Sequence, residues 1–167
     1  NKIDFDIEEV GEPMSFRWGK CKLATASFGH GITTTLLQVA KGYSIISNGG
    51  FEIEPTLIKK EKTENKKIRI LNHGVSKKIN PILRKIVSTK EGTANFANIE
   101  GYEVGGKTGT AQKSFNGVYS KNKINTFAAI FPISKPKYIL LVLLDEPKPS
   151  KDYIYHYRDG SGWKYKG

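Results

Sequence analysis

The run Gly105-Gly106-Lys107-Thr108-Gly109-Thr110-Ala111 places a cation, two hydroxyls and an unshielded stretch of backbone side by side. If the segment is extended, Thr108 and Thr110 can turn together toward a substrate laid alongside, because residues two apart share a face of a strand. Gly109 lets that substrate approach the backbone more closely than any side chain would allow. The Thr110 amide can then donate to an oxyanion, and Lys107 supplies positive charge for a carboxylate or a developing alkoxide. Read alone, the run fits equally an edge strand with a glycine bulge and no chemistry.

Other chemically capable residues have plainer readings. His30 stands between Gly29 and Gly31 and reads as a loop residue near a helix start rather than a catalytic base. Asp145 and Glu146 close an apolar run, which suits a return to solvent better than a general-acid pair. Trp18 and Trp163 could stack on sugar rings, with packing the simpler role. Cys21 has no second cysteine to bridge to, and His30, His73 and His156 lie too far apart to form a metal-ligand spacing, so no metal and no cofactor is expected.

These residues need elements to position them. Leu36, Val39, Ala40, Tyr43 and Ile46 recur at helical spacing. They predict a helix over Thr33 to Asn48, capped by Thr33 or Thr34 and stopped by Asn48-Gly49-Gly50. Residues 1 to 31 carry turn signals and read as a loop-rich entry. Pro55 to Lys62 and Lys66 to Leu71 read as two charged edge strands. A second helix is placed with Asn80 as cap and Pro81 at its first position, ending at Glu91-Gly92, since Pro81 in a helix interior would clash with the preceding turn.

The last third predicts three strands, Tyr102 to Gln112, Asn125 to Pro132 and Lys137 to Asp145. The second and third are apolar on consecutive positions, as strands covered on both faces are. Their short connections, Lys113 to Ile124 and Ile133 to Pro136, predict an antiparallel meander. The fold class expected is therefore α+β, an antiparallel sheet packed between helices. The tail, residues 150 to 167, lacks useful periodicity and is assigned no helix.

The chain of 167 residues has a formal net charge of +11, spread over scattered lysines. Such a balance favours anionic surroundings, yet a solvated lysine-rich surface explains it as well. The interleaved arginine and aromatic pattern of a nucleic-acid module is absent. The longest apolar stretch, Tyr138 to Leu144, is far too short to span a bilayer. The first residue is Asn, which suggests a piece of a longer polypeptide.

Four linked segments carry a resemblance: Ala24 to Ala40 (containing Ser27-Phe28-Gly29-His30-Gly31-Ile32-Thr33), Ser47-Asn48-Gly49-Gly50, Glu91-Gly92-Thr93-Ala94, and Gly106 to Lys113. In order and spacing the chain resembles the class B penicillin-binding proteins over roughly residues 5 to 147, with a Lys-Thr-Gly-Thr run like that of the serine β-lactamases. The resemblance implies the C-terminal part of a transpeptidase domain over residues 1–149, followed by an irregular or altered tail over 150–167. It implies acyl transfer on peptidoglycan stem peptides ending in D-Ala-D-Ala through a serine acyl-enzyme, trapped by β-lactams. Lys107 and Thr110 would then be catalytic, and Lys107, Thr108, Gly109 and Thr110 would bind the substrate carboxylate. The implied setting is the bacterial periplasm or the outer face of the cytoplasmic membrane. The membrane would be reached only through an anchor outside this chain, beside other wall-synthesis or division proteins and without nucleic acid.

The departures are as informative. That family places Ser-x-x-Lys and Ser-x-Asn upstream of the Gly-His-Gly segment, and nothing before Ser27 supplies them. Ser120-Lys121-Asn122-Lys123, Ser134-Lys135-Pro136-Lys137 and Ser114-Phe115-Asn116 match the patterns but read as lysine-rich loops. The nucleophile's motif must instead start a buried helix, so that its lysine is desolvated enough to act as a base. The isolated chain is therefore expected to be inactive. A non-catalytic β-lactam sensor or a degenerate interaction domain is an alternative, and a basic nucleic-acid module another.

Overall fold

The structure is a computed structural model, and it describes residues 19–27, 29, 31–59, 67–72, 74–115, 118–148, 154–156 and 164–166. Within residues 1–31, a short helix α1 (Lys22–Ala26) stands where a loop was expected. His30, Trp18 and Trp163 lie outside the described residues.

Helix α2 (Leu36–Ser47) is the predicted first helix with a different cap. Thr35 receives the amide of Gln38 at 3.2 Å, and the Gln38 side chain receives the amide of Thr35 at 3.0 Å. Only Thr35 has a glutamine three residues on; Thr33 and Thr34 have leucines there, so neither can complete the reciprocal pair. The helix stops as expected, with Gly49 at φ 96° and Gly50 at φ 89°. A Cβ on Gly50 would also strike the Leu71 backbone.

Helix α3 (Gly74–Ser88) overturns the placement of Pro81, which lies inside it rather than at its start. The missing amide leaves the carbonyl of Lys77 without its helical donor, but Lys77 and Pro81 both face solvent, where water can serve instead. Tertiary bonds hold the preceding turns. The Ser76 hydroxyl donates to the Ile46 carbonyl and accepts from the Gly49 amide at 2.9 Å, and Asn80 donates to the Ser47 carbonyl at 3.2 Å. The 3-10 turn η1 (Asn95–Ala97) follows.

Among the described residues of the two charged stretches expected as strands after α2, neither forms a strand, and Arg69 of the second pairs in an isolated bridge. Thr56 folds back to accept the Ile58 amide at 3.1 Å, and the extended pairing lies earlier. Glu52 and Ile70 amides donate to Ile68 and Gly50 carbonyls around a single Phe51–Arg69 bridge. The Arg69 guanidinium lies 4.1 Å from the Phe51 ring centre.

Strands β1 (Gly105–Phe115), β2 (Val118–Phe131) and β3 (Tyr138–Asp145) form one sheet in the order β1-β2-β3. This is the predicted antiparallel meander within an α+β chain. The first hairpin is longer than expected, because most of Lys113 to Ile124 is strand rather than connection. In the tail, β4 (Ile154–His156) pairs antiparallel with β5 (Lys164–Lys166).

The chain divides into two compact units, one of Asn1–Lys107 with Ala128–Leu141, the other of Thr108–Phe127 with Val142–Gly167. In the first, Leu83 of α3, Ile130 of β2 and Ile133 form a core, joined by Tyr43, Ile79, Ile86 and Ile139. Ala128, Ala129 and Ile130 are all buried, as their consecutive apolar pattern predicts. Tyr138 and Leu140 on β3 are exposed, so among the described residues the helices cover the Ile139 side of that strand. Burial raises the Tyr43 phenol above its usual pKa. In the second unit, Lys113 bridges Asp145 at 2.7 Å and Glu146 at 2.8 Å, while the Glu146 amide donates to Lys123 at 2.9 Å.

Candidate functional site

The predicted run Lys107 to Thr110 lies on β1, which is an edge strand of the three-stranded sheet. A strand paired on one side leaves the backbone groups of its other side directed outward, as a substrate backbone laid alongside requires.

The division between the two units falls between Lys107 and Thr108, and each part is built differently. On the first unit, Val104, Gly105 and Gly106 are buried and Lys107 emerges exposed. Gly105 is required there, since a Cβ would lie 2.8 Å from Ile133 Cγ1. The preceding turn is pinned at successive carbonyls: Glu103, at φ 49°, accepts the Ile133 amide at 2.9 Å, and Val104 accepts Arg84 Nη1 at 2.7 Å. Ser134 also donates to the Glu103 carboxylate.

On the second unit, Thr108 and Gly109 are half-buried and Thr110 is exposed. Gly109 lies against the neighbouring strand so closely that a Cβ would fall 2.5 Å from Thr126 Oγ1. The glycine therefore has a packing role as well as leaving the backbone open to approach.

The other candidates fall elsewhere. Ser120 to Lys123 lies within β2, which corrects its reading as a loop, and Ser120 accepts the Asn122 amide at 3.2 Å. Ser134 to Lys137 occupies the turn before β3. Ser114 is the penultimate residue of β1, with Asn116 outside the described residues. None of these serines begins a helix. Asp145 and Glu146 are held by Lys113, whose ammonium keeps the Glu146 carboxyl below its usual pKa; hydrogen bonds to Asp145 and then Glu146 raise that of Lys113. This is an ion-paired strand end rather than an acid pair. Among the described residues no group of three or more acidic, histidine or cysteine side chains could hold a metal.

Sequence reasoning missed Arg84, Glu103 and Thr126. The first two act through contacts between distant segments, and Thr126 is defined by a glycine on the adjacent strand. No local spacing signals any of them.

The chain matches the penicillin binding protein transpeptidase domain over residues 1–160. It is 35% identical over 151 residues to the probable peptidoglycan D,D-transpeptidase PenA of Neisseria flavescens, covering 89% of this chain and 37% of that protein. It is also 35% identical over 162 residues to stage V sporulation protein D of Bacillus subtilis, covering 88% of this chain and 25% of that protein. Its fold resembles the TP domain of Burkholderia pseudomallei penicillin-binding protein 3 with TM-score 0.72 and 30% identity, over 78% of this chain and 40% of that one. Penicillin-binding protein 3 from Mycobacterium tuberculosis, solved with ampicillin, gives TM-score 0.71 and 30% identity over 78% and 33%. The chain thus spans 37% and 25% of the two curated relatives named here. No helix among the described residues is long and apolar enough to cross a membrane.

Proposed function

Because the chain belongs to the penicillin-binding protein transpeptidase domain family, we propose that it forms the Lys-Thr-Gly wall of a serine D,D-transpeptidase site whose nucleophile is carried by other polypeptide. The observation that carries this reading is the edge placement of Lys107 to Thr110, with Lys107 and Thr110 exposed. A stem peptide ending in D-Ala-D-Ala lies along that edge. Thr108 and Thr110 bind its carboxylate by hydrogen bonds, and Lys107 provides the opposite charge beside it.

The serine hydroxyl attacks the penultimate D-alanine carbonyl, passing its proton to a neighbouring base. The carbonyl oxygen becomes an oxyanion, which the Thr110 amide receives as half of its hole. Collapse expels D-alanine, protonated at its amine, and leaves an ester on the serine. The amine of a second stem peptide then displaces the serine and forms the cross-link. β-Lactams enter the same pathway as substrate mimics, and a relative at 30% identity has been solved with ampicillin. The site would work at the outer face of the cytoplasmic membrane among wall-synthesis proteins, tethered by an anchor outside this chain.

The isolated 167 residues are inactive in this reading, since their serine-lysine patterns lie on a strand and a turn. Fluorescent penicillin tests it: the chain alone stays unlabelled, and a longer protein joining it to an upstream Ser-x-x-Lys segment becomes covalently labelled. Labelling of the isolated chain, or none of a folded longer protein, would refute the proposal.

A further inference from the structure

We infer that Arg84 is a positioning residue for the candidate site: from α3 it clamps the entrance of β1 and so sets where Lys107 emerges. The functional half of this inference rests on the reading above; the structural half does not.

Arg84 lies on a helix whose Leu83, Ile79 and Ile86 pack into the core, and it is only partly exposed. Its Nη1 donates both to Asn98 Oδ1 at 3.0 Å and to the Val104 carbonyl at 2.7 Å. Those acceptors bracket the turn from η1 to β1, so one charged nitrogen closes the turn at both ends. The shorter bond falls in the range of charge-assisted hydrogen bonds, about 2.7 to 2.9 Å. The adjacent Glu103 carbonyl is held by the Ile133 amide at 2.9 Å. Two consecutive peptide planes are therefore fixed by partners on different elements. Gly105, against Ile133, leaves the strand no room to shift toward that side. Val104 precedes Lys107 by three residues, all buried up to the lysine, so a rotation at this entrance is transmitted to the ammonium. A lysine there cannot reproduce the planar fork of the guanidinium.

Amide hydrogen exchange on the 167-residue chain tests the clamp. Arg84→Met should accelerate exchange of the Ile133 amide, and of the protected amides from Gly105 to Lys107, about tenfold or more, a local loss of about 1.4 kcal/mol. Amides of α2 should be unchanged. Arg84→Lys should recover part of the protection. Asn98→Ala, which removes an exposed acceptor and keeps the fold, should give a smaller change at the same amides. In the serine-bearing longer protein, Arg84→Met should slow acylation by fluorescent penicillin about tenfold, with partial rescue by Arg84→Lys.

Unchanged exchange at these amides in both Arg84→Met and Asn98→Ala, or acceleration spread evenly over the molecule, would overturn the clamp. Normal acylation by Arg84→Met would overturn its role at the site. Absence of labelling in the wild-type longer protein would instead refute the proposed function and leave the exchange result to decide the clamp.

Discussion

Gly109 and Thr126 face each other across β1 and β2 with no room for a methyl group between them: a Cβ on the glycine would lie 2.5 Å from the threonine hydroxyl oxygen. The residue proposed to open the candidate site to substrate also lets its strand pack flush against the sheet.

Gly109→Ala should therefore lose stability, by ~1–3 kcal/mol as overpacked positions do. Threonine is stiff about its first side-chain bond, and rotation would only exchange hydroxyl for methyl. Serine lacks that methyl, so Thr126→Ser in the Gly109→Ala background should recover most of the loss. Urea denaturation of the four combinations measures the coupling, and additive effects would contradict the contact.

At Gly92 the obstacle is backbone, because a Cβ would strike the Ile86 and Lys85 carbonyls. The Ala94 amide bonds the same Ile86 carbonyl at 3.2 Å, so the turn cannot move away without breaking that bond. Gly92→Ala should cost ~2 kcal/mol or more, at the upper end of ordinary single-substitution effects. No side-chain substitution nearby should restore it. Thermal melting of Gly92→Ala, alone and with Ile86→Val, decides this.

Removing Pro81 from the interior of α3 gives the Lys77 carbonyl back its helical donor. Pro81→Ala should raise the stability of α3 by less than the ~3 kcal/mol propensity difference, since proline also limits the unfolded chain. A lower midpoint in urea would mean that the ring makes contacts worth more than the bond it forbids.

Lys113 links the end of β1 to the end of β3 through Asp145 and Glu146. The Glu146 carboxyl titrates below its usual range chiefly through its hydrogen bond to Lys113, so its share of stability is present above the unfolded carboxylate pKa. That share is lost as pH falls through the depressed value. Lys113 is raised by the same partners, so its share is present below the usual lysine pKa and lost as pH rises through the raised one. These groups face solvent and salt should weaken them. Lys113→Met should flatten both limbs of the stability profile, measured by denaturant midpoints across pH at low and high salt.

Elements that one local pattern decides are legible in the sequence. The apolar spacing of Leu36 to Ile46 produced α2, and the runs ending at Phe131 and Leu144 produced β2 and β3. The Thr35–Gln38 capping box was also present in the sequence, but three consecutive threonines obscured it. The errors arose where distant contacts override local preference. Pro81 is carried inside a helix held by Ser76 and Asn80, and charged Lys113 extends a hairpin because two carboxylates await it. The candidate site divides the same way. Lys107 to Thr110 are legible as a motif, whereas Arg84, Glu103 and Thr126 acquire their roles only through folding.

The acylation rate of the serine-bearing longer protein tests most directly whether Lys107 supplies the charge at the site. Lys107→Ala should lower the second-order rate constant for fluorescent penicillin by ~100-fold or more, as loss of an electrostatic contact at a developing charge does. Lys113→Ala, on the same strand and committed to an ion pair, should stay within about threefold of wild type, the scale of a surface electrostatic change. Equal rates for wild type and Lys107→Ala, or equal losses at both lysines, would contradict the account.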